Sequence, residues 1–303
     1  MNRKDPTGQY RNRRRTTKKI NQRLDSTKRT VLELFKSIPY SIKVEKTVIN
    51  QEGVVYDYRI SPTELDQIRK QIELAINSEL LETNNDQVTP NWWYKGEIEQ
   101  PYRQGTLEET NHFNQLIAFA AILGITGKFD MPAEKVAPES MVLSRAYREK
   151  LQGLYISSFN VVKGLSQKTS SQIFNVINDG LNSNLSRKQI ISQIVERYDV
   201  SKSNAKRIVY TEVNKAYNDA KSNAAKTISR ETGLEAGVIH YSALTPTTRT
   251  THADRHGNAY SVSDQNEWWD QGANRINCKC YVETVLIDSK GNPIKTPQQE
   301  KIK

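Results

Sequence analysis

The chain has 303 residues, 36% of them hydrophobic, and a mean hydropathy of -0.72. It is too polar for one large core and has no run of about 18 apolar residues to span a membrane, so modest helical bundles and small domains are expected. Two cysteines one residue apart exclude a disulfide framework and point to a reducing cytosol, and no apolar segment follows the basic N-terminus as in a secretory signal.

The net charge of +10 is concentrated at one end. Residues 1–30 carry eleven Lys or Arg against two acidic residues; the rest carries 33 against 32. Residues 1–29 contain almost nothing apolar and are predicted to be a disordered basic arm. Such an arm is drawn to polyanions by counterion release, without reading sequence. Arg11, Arg13, Arg14, Arg15, Lys18 and Lys19 are the candidate nucleic-acid contacts. The other reading is a solvated tail that only aids solubility.

A short helix is expected over 30–38, stopped by Pro39. The β-branched alternation over 42–60, with Asn50–Gly53 as its turn, predicts a hairpin. Ser61, Pro62 and Glu64 form a helix start with a capping box, and Leu65, Ile68, Ile72, Ile76 and Leu80 follow at helical spacing. A polar loop is expected next, with Trp92 and Trp93 read as packing aromatics. The apolar pattern over 106–126 predicts a helix with His112 as a surface or cap residue at its start. Pro132 and Pro138 mark 128–140 as a linker.

From 139 to 232 four helices are expected, over 139–163, 166–182, 187–198 and 202–231, with Ser186 and Ser201 as caps. Beyond Gly233 the character changes to two strands, Val238–Leu244 and Cys280–Ile287, with a turn at Asp288–Asn292. The expected fold is mainly α: a helical body with an N-terminal β-hairpin and a small α+β C-terminal domain. The ranges are 1–29 for the arm, 30–138, 139–233, 234–290, and a frayed tail over 291–303.

His252 and His256 are four residues apart, the spacing that puts two ligands on one helix face, and Cys278 and Cys280 add two thiolates. Together they are a candidate Cys2His2 zinc site. Zinc sites usually space cysteines by two residues. With one residue between them on a strand the thiols share a face about 6.5–7 Å apart, so chelation requires a local kink. The other reading is a small buried cysteine pair with two histidines in a hydrogen-bonded loop. A metal-dependent nuclease is a third, using a histidine base, although Asp254 is the only carboxylate at hand.

Two stretches carry a resemblance. Ala205–Ala220, with Thr211-Glu212 and Tyr217-Asn218 inside it and Leu185–Ile190 as its lead-in, resembles the helix of the head-morphogenesis family of tailed phages, minor head proteins similar to phage Mu protein F. Thr248-Arg-Thr-Thr-His252, Gly257 and Asn277-Cys-Lys-Cys280 are similar to the family's ending, and Tyr260 to Gly272 fits the loop between. The resemblance covers about 140–287. Tyr210 and Lys279 stand where the family has Arg, and Thr248-Arg249 where other members have a Cys-x2-Cys, so a four-cysteine metal site does not carry over.

The resemblance implies a minor virion protein in the head near the portal, acting in assembly or in DNA packaging and delivery. It implies no catalysis, with the portal and major capsid proteins as partners, phage DNA against the arm, and the host cytoplasm as the place of assembly. Zinc, where bound, is then structural. The sequence further suggests that Glu212, in the interior of a helix, pairs with Arg249 to dock that helix on the C-terminal domain. An exposed Glu212 is the alternative.

Overall fold

The computed structural model describes residues 7–46, 52–82 and 91–301. Arg3 and Lys4 of the basic arm and the Asn50-Gln51 half of the expected turn lie outside them. The fold is mainly α, as expected. Its elements are α1 (Tyr10–Lys36), β1 (Tyr40–Lys46), β2 (Glu52–Tyr58), α2 (Pro62–Leu81), α3 (Asn91–Trp93) and a π-helical turn at Tyr94–Ile98. Then come α4 (Glu99–Ile122), α5 (Pro138–Leu143), α6 (Arg145–Asn182) and α7 (Arg187–Thr232). The C-terminal part holds β3 (Ala236–Tyr241), α8 (Thr250–Ala253), β4 (Ala259–Tyr260), α9 (Val262–Asp270), β5 (Tyr281–Ile287), β6 (Pro293–Ile294) and α10 (Pro297–Glu300). No helix among the described residues is long and apolar enough to cross a membrane.

Contacts divide the chain into two units: residues 15–91 with 157–208, and residues 1–14 with 92–156 and 209–303. In the first, β1 and β2 form the expected antiparallel hairpin, with Tyr40 opposite Tyr58. The α2 start is also as expected: Ser61 Oγ accepts the Glu64 amide while the Glu64 carboxylate accepts the Ser61 amide. Ile72, Ile76 and Leu80 of α2 are buried, as are Val162, Ile173 and Ile177 of α6 and Ile190, Ile194 and Tyr198 of α7. Lys202 of α7 bonds Asp25 of α1 at 2.6 Å, and Ser166 of α6 donates to Asn77 of α2 at 2.7 Å.

The described part of the basic segment is helical, not disordered. Thr16, Ile20, Leu24, Thr27, Val31 and Phe35 are buried at three- and four-residue steps, one stripe of an amphipathic helix. Three of its six members are not aliphatic, which hid the stripe. Arg11, Arg14 and Lys18 lie at the same spacing on the opposite, exposed face.

Two expected breaks are also absent. Residues 145–182 form one helix through Gly164, and residues 187–232 form another through Ser201. An interior glycine costs a helix only about 1 kcal/mol. Ser201 is no cap; it lies buried and its hydroxyl accepts that of Thr169 at 3.2 Å.

In the second unit, Phe113, Leu116, Ile117 and Ala120 of α4 pack with Ala224, Ala225 and Ile228 of α7, Leu234, Met141 and Leu286. A methyl group on Gly105 would lie 2.5 Å from the Tyr217 carbonyl oxygen, so glycine sets how closely α4 approaches α7. Helix starts earlier than predicted, at Asn91, and buries Trp92 and Trp93 edge to face as packing aromatics. His112 is no cap: mid-helix, its Nε2 lies 2.8 Å from the Thr284 carbonyl oxygen on β5.

The sheet order is β4-β3-β5-β6, antiparallel throughout, with His240 opposite Val282. Asp288 and Asn292 close the expected turn. The tail is not frayed up to Lys301: Thr296 and Gln299 build a capping box on α10, and the buried Gln299 donates to the Thr284 carbonyl.

Candidate metal centre

Helix α7 and the segment leading into β5 are joined by one polar stripe. Thr211, Asn214 and Asn218 lie at i, i+3 and i+7, on one face of α7. Thr211 Oγ1 accepts the Asn277 amide at 3.0 Å, Asn214 Nδ2 donates to the Cys278 carbonyl, and Asn218 Nδ2 donates to the Cys280 carbonyl at 3.1 Å. Asp219, one residue on, holds Arg275 at 2.7 Å. The two stretches that carried the family resemblance are therefore one structural unit.

The kink that chelation requires is present. Asn277 takes a left-handed φ of 53° and regular strand starts only at Tyr281. The Cys280 amide turns back to Cys278 Sγ at 3.3 Å. His252, on the one-turn helix α8, places Nδ1 3.3 Å from Cys280 Sγ and 3.5 Å from Cys278 Sγ. Zinc bonds of about 2.3 Å to sulfur and 2.0 Å to nitrogen put tetrahedral neighbours about 3.5 Å apart, which these separations match.

The histidine beside His252 and Cys280 is His240, not His256. The ligand atoms of His240, His252 and Cys280 all lie within 4.8 Å of one another. His240 is wholly buried on β3; Gln265 meets its Nδ1 at 3.2 Å, and its Nε2 has no hydrogen-bond partner among the described residues. Burial pushes its pKa down to about 3, so the ring is neutral near pH 7 and able to bind a cation. Trp268 stands edge-on to both rings, at 5.3 Å from His240 and 4.8 Å from His252, a dry shell of the kind that surrounds metal ligands. His256 lies beyond the end of α8, so helical spacing does not apply to it. Its Nδ1 accepts the Ser242 amide at 3.0 Å.

The thiols are a coupled pair. The Cys280 hydrogen bond, helped by His252, holds the Cys278 pKa below the ordinary thiol range, and the same contact together with burial pushes Cys280 up. A divalent cation would remove the penalty on the second thiolate. A cleft of about 140 Å³ opens onto His252 and both cysteines and gives an ion a path in. The set fits zinc in ligand type: His240, His252 and Cys280 converge, and Cys278 approaches His252 as a fourth. One neighbour opposes it: Arg249 Nη1 lies 3.2 Å from His252 Nε2. Metal on Nδ1 would leave a hydrogen on Nε2, so Arg249 would have to turn away.

The suggested Glu212–Arg249 pair does not form. Arg249 is taken up by His252 and by the Ile276 carbonyl at 2.7 Å. Glu212 is buried, and desolvation raises its pKa against the opposing influence of Lys215 and Arg275. Of the six candidate nucleic-acid contacts, Arg13 is buried. It donates to Asn214 Oδ1 at 2.6 Å and to Thr7 at 3.1 Å, and lies over the Tyr210 ring. Arg11, Arg14, Arg15 and Lys18 are exposed and Lys19 half-buried.

Sequence reasoning missed His240, Asn214 and Asn218 in these roles. A histidine within an apolar strand, and two asparagines at helical spacing after Thr211, are the signals that could have found them.

The buried Cys/His cluster is tied to the long helix α7 by asparagine side chains that donate to the Cys278 and Cys280 carbonyls. Residues 171–283 match the model of a family described as Phage Mu protein F like protein. No curated protein and no solved structure matches the chain.

Proposed function

We propose that the protein is a minor head component of a tailed phage, acting near the portal in head assembly and in DNA packaging or delivery. The match over residues 171–283 carries this reading, because it spans both halves of the α7 clamp. The exposed Arg11, Arg14 and Lys18 face of α1 lies along DNA or along an acidic surface of the portal or major capsid protein. Cys278, Cys280, His252 and His240 hold a structural zinc where too few apolar side chains exist to fix residues 242–280. The cluster performs no turnover.

A phage unable to make the chain should yield far fewer filled, infectious heads, and supplying the wild-type chain should restore them. Undiminished yield without it would sink the reading.

A further inference from the structure

A second cationic feature lies away from the cysteine cluster and from the α1 face. A cleft of about 250 Å³ opens between α4, α5, the first turns of α6 and the last turns of α7. Lys150 of α6 and Lys226 and Arg230 of α7 line it. All three are exposed and form no ion pair among the described residues, and no carboxylate lines the cleft. Three uncompensated cations around one concavity raise the local concentration of anions. The N-terminal end of α6 adds partial positive charge.

One ring on the wall, Tyr147, is half-buried and open to the cleft, with the buried Tyr102 behind it. Tyr102 and Tyr147 sit with ring centroids 5.1 Å apart. Asn223 Nδ2 donates to the Tyr102 hydroxyl at 3.2 Å and fixes that ring. The cleft is smaller than the roughly 300–1,000 Å³ of drug-sized sites. That excludes a large cofactor and suits a compact anion or one unit of a polymer. An acidic peptide would use the cations but has no need of the aromatic wall. A nucleotide uses both, since every base has a π-face and stacks without regard to sequence.

We propose that this cleft holds one nucleotide, its phosphate met by Lys150, Lys226 and Arg230 and its base laid against the half-buried Tyr147 ring, which the buried Tyr102 backs. The nucleotide is either free or one unit of a single strand. The site is independent of the DNA-facing role given to α1.

The test is titration of the full chain with a deoxynucleoside monophosphate, a short labelled single-stranded oligonucleotide, inorganic phosphate and polyglutamate. The variants are a triple Lys150→Gln, Lys226→Gln, Arg230→Gln and a single Tyr147→Leu, each checked for retained helicity. A control carries Arg11→Gln, Arg14→Gln and Lys18→Gln. The triple variant should bind nucleotide about tenfold more weakly or worse, and its oligonucleotide salt slope should fall by about 0.7 for each phosphate it no longer neutralises. Tyr147→Leu should weaken nucleotide but not inorganic phosphate. The control should leave the monophosphate affinity unchanged. Loss of both monophosphate and oligonucleotide binding identifies a free nucleotide as sufficient; loss confined to the oligonucleotide identifies a strand. The proposal is overturned if the triple variant binds both as tightly as wild type, or if phosphate or polyglutamate binds as tightly as nucleotide.

Discussion

Arg13, near the start of α1, donates to Asn214 Oδ1 at 2.6 Å, and the same Asn214 gives its amide hydrogen to the Cys278 carbonyl. A residue that reads as part of a basic tail thus supports the cysteine segment. Removing one partner of a buried hydrogen bond leaves the other unsatisfied, at about 1–3 kcal/mol. Arg13→Leu and Asn214→Leu should each destabilise the protein by that order in urea unfolding. The double variant should lose less than the sum, because both act on one network. Strict additivity would show that the two are not coupled.

Gly105→Ala tests the approach of α4 to α7. In an open helix the change favours helix by about 1 kcal/mol. Here the new methyl would meet the Tyr217 carbonyl oxygen at 2.5 Å, so the melting temperature should fall. A rise would mean that α4 can shift freely.

Glu212 gives a pH dependence. Its carboxyl is buried and its folded pKa is raised, chiefly by desolvation. Between the unfolded and folded pKa values the native state binds more protons than the unfolded chain. The stability Glu212 contributes is therefore fully present below the ordinary carboxylate pKa and lost as pH rises through the raised one. Glu212→Gln should remove that loss and flatten stability against pH over the window. An unchanged profile would show that Glu212 titrates normally.

The α1 face should govern binding to duplex DNA. Arg11, Arg14 and Lys18 are exposed at i, i+3 and i+7. Replacing all three with Gln should lower the slope of log affinity against log salt by up to about 0.9 for each phosphate contact. Fluorescence anisotropy at several salt concentrations reads this directly. An unaltered slope would remove α1 as the contact.

For the metal, chain purified without chelator under reducing conditions should carry one zinc. Cys280→Ser and His240→Ala should abolish it, while His256→Gln should keep it, since His256 is committed to the Ser242 amide. Loss in His256→Gln would restore the ligand pair suggested by its four-residue spacing from His252. No zinc in the wild type would leave the hydrogen-bonded cluster, with Arg249 on His252 Nε2.

The most legible parts of the sequence were those with a local cause. The Ser61–Glu64 capping box, the β1–β2 hairpin and the β3 and β5 strands follow from caps, turns and alternation within a few residues. The α1 helix was not legible, because its buried stripe alternates aliphatic residues with Thr16 and Thr27, whose burial depends on the rest of the fold. The cysteine site was half legible. His252, Cys278 and Cys280, singled out by residue type and spacing, do come together. His256 was misplaced because a four-residue spacing implies a shared face only while the helix continues, and α8 ends at Ala253. His240 enters from a strand that sequence alone cannot bring alongside α8.

The most direct measurement is quantitative mass spectrometry of purified particles from the parent phage. A low, definite copy number per particle is the expected result, and it would establish the chain as a virion component. Absence from mature particles would contradict a place in the head.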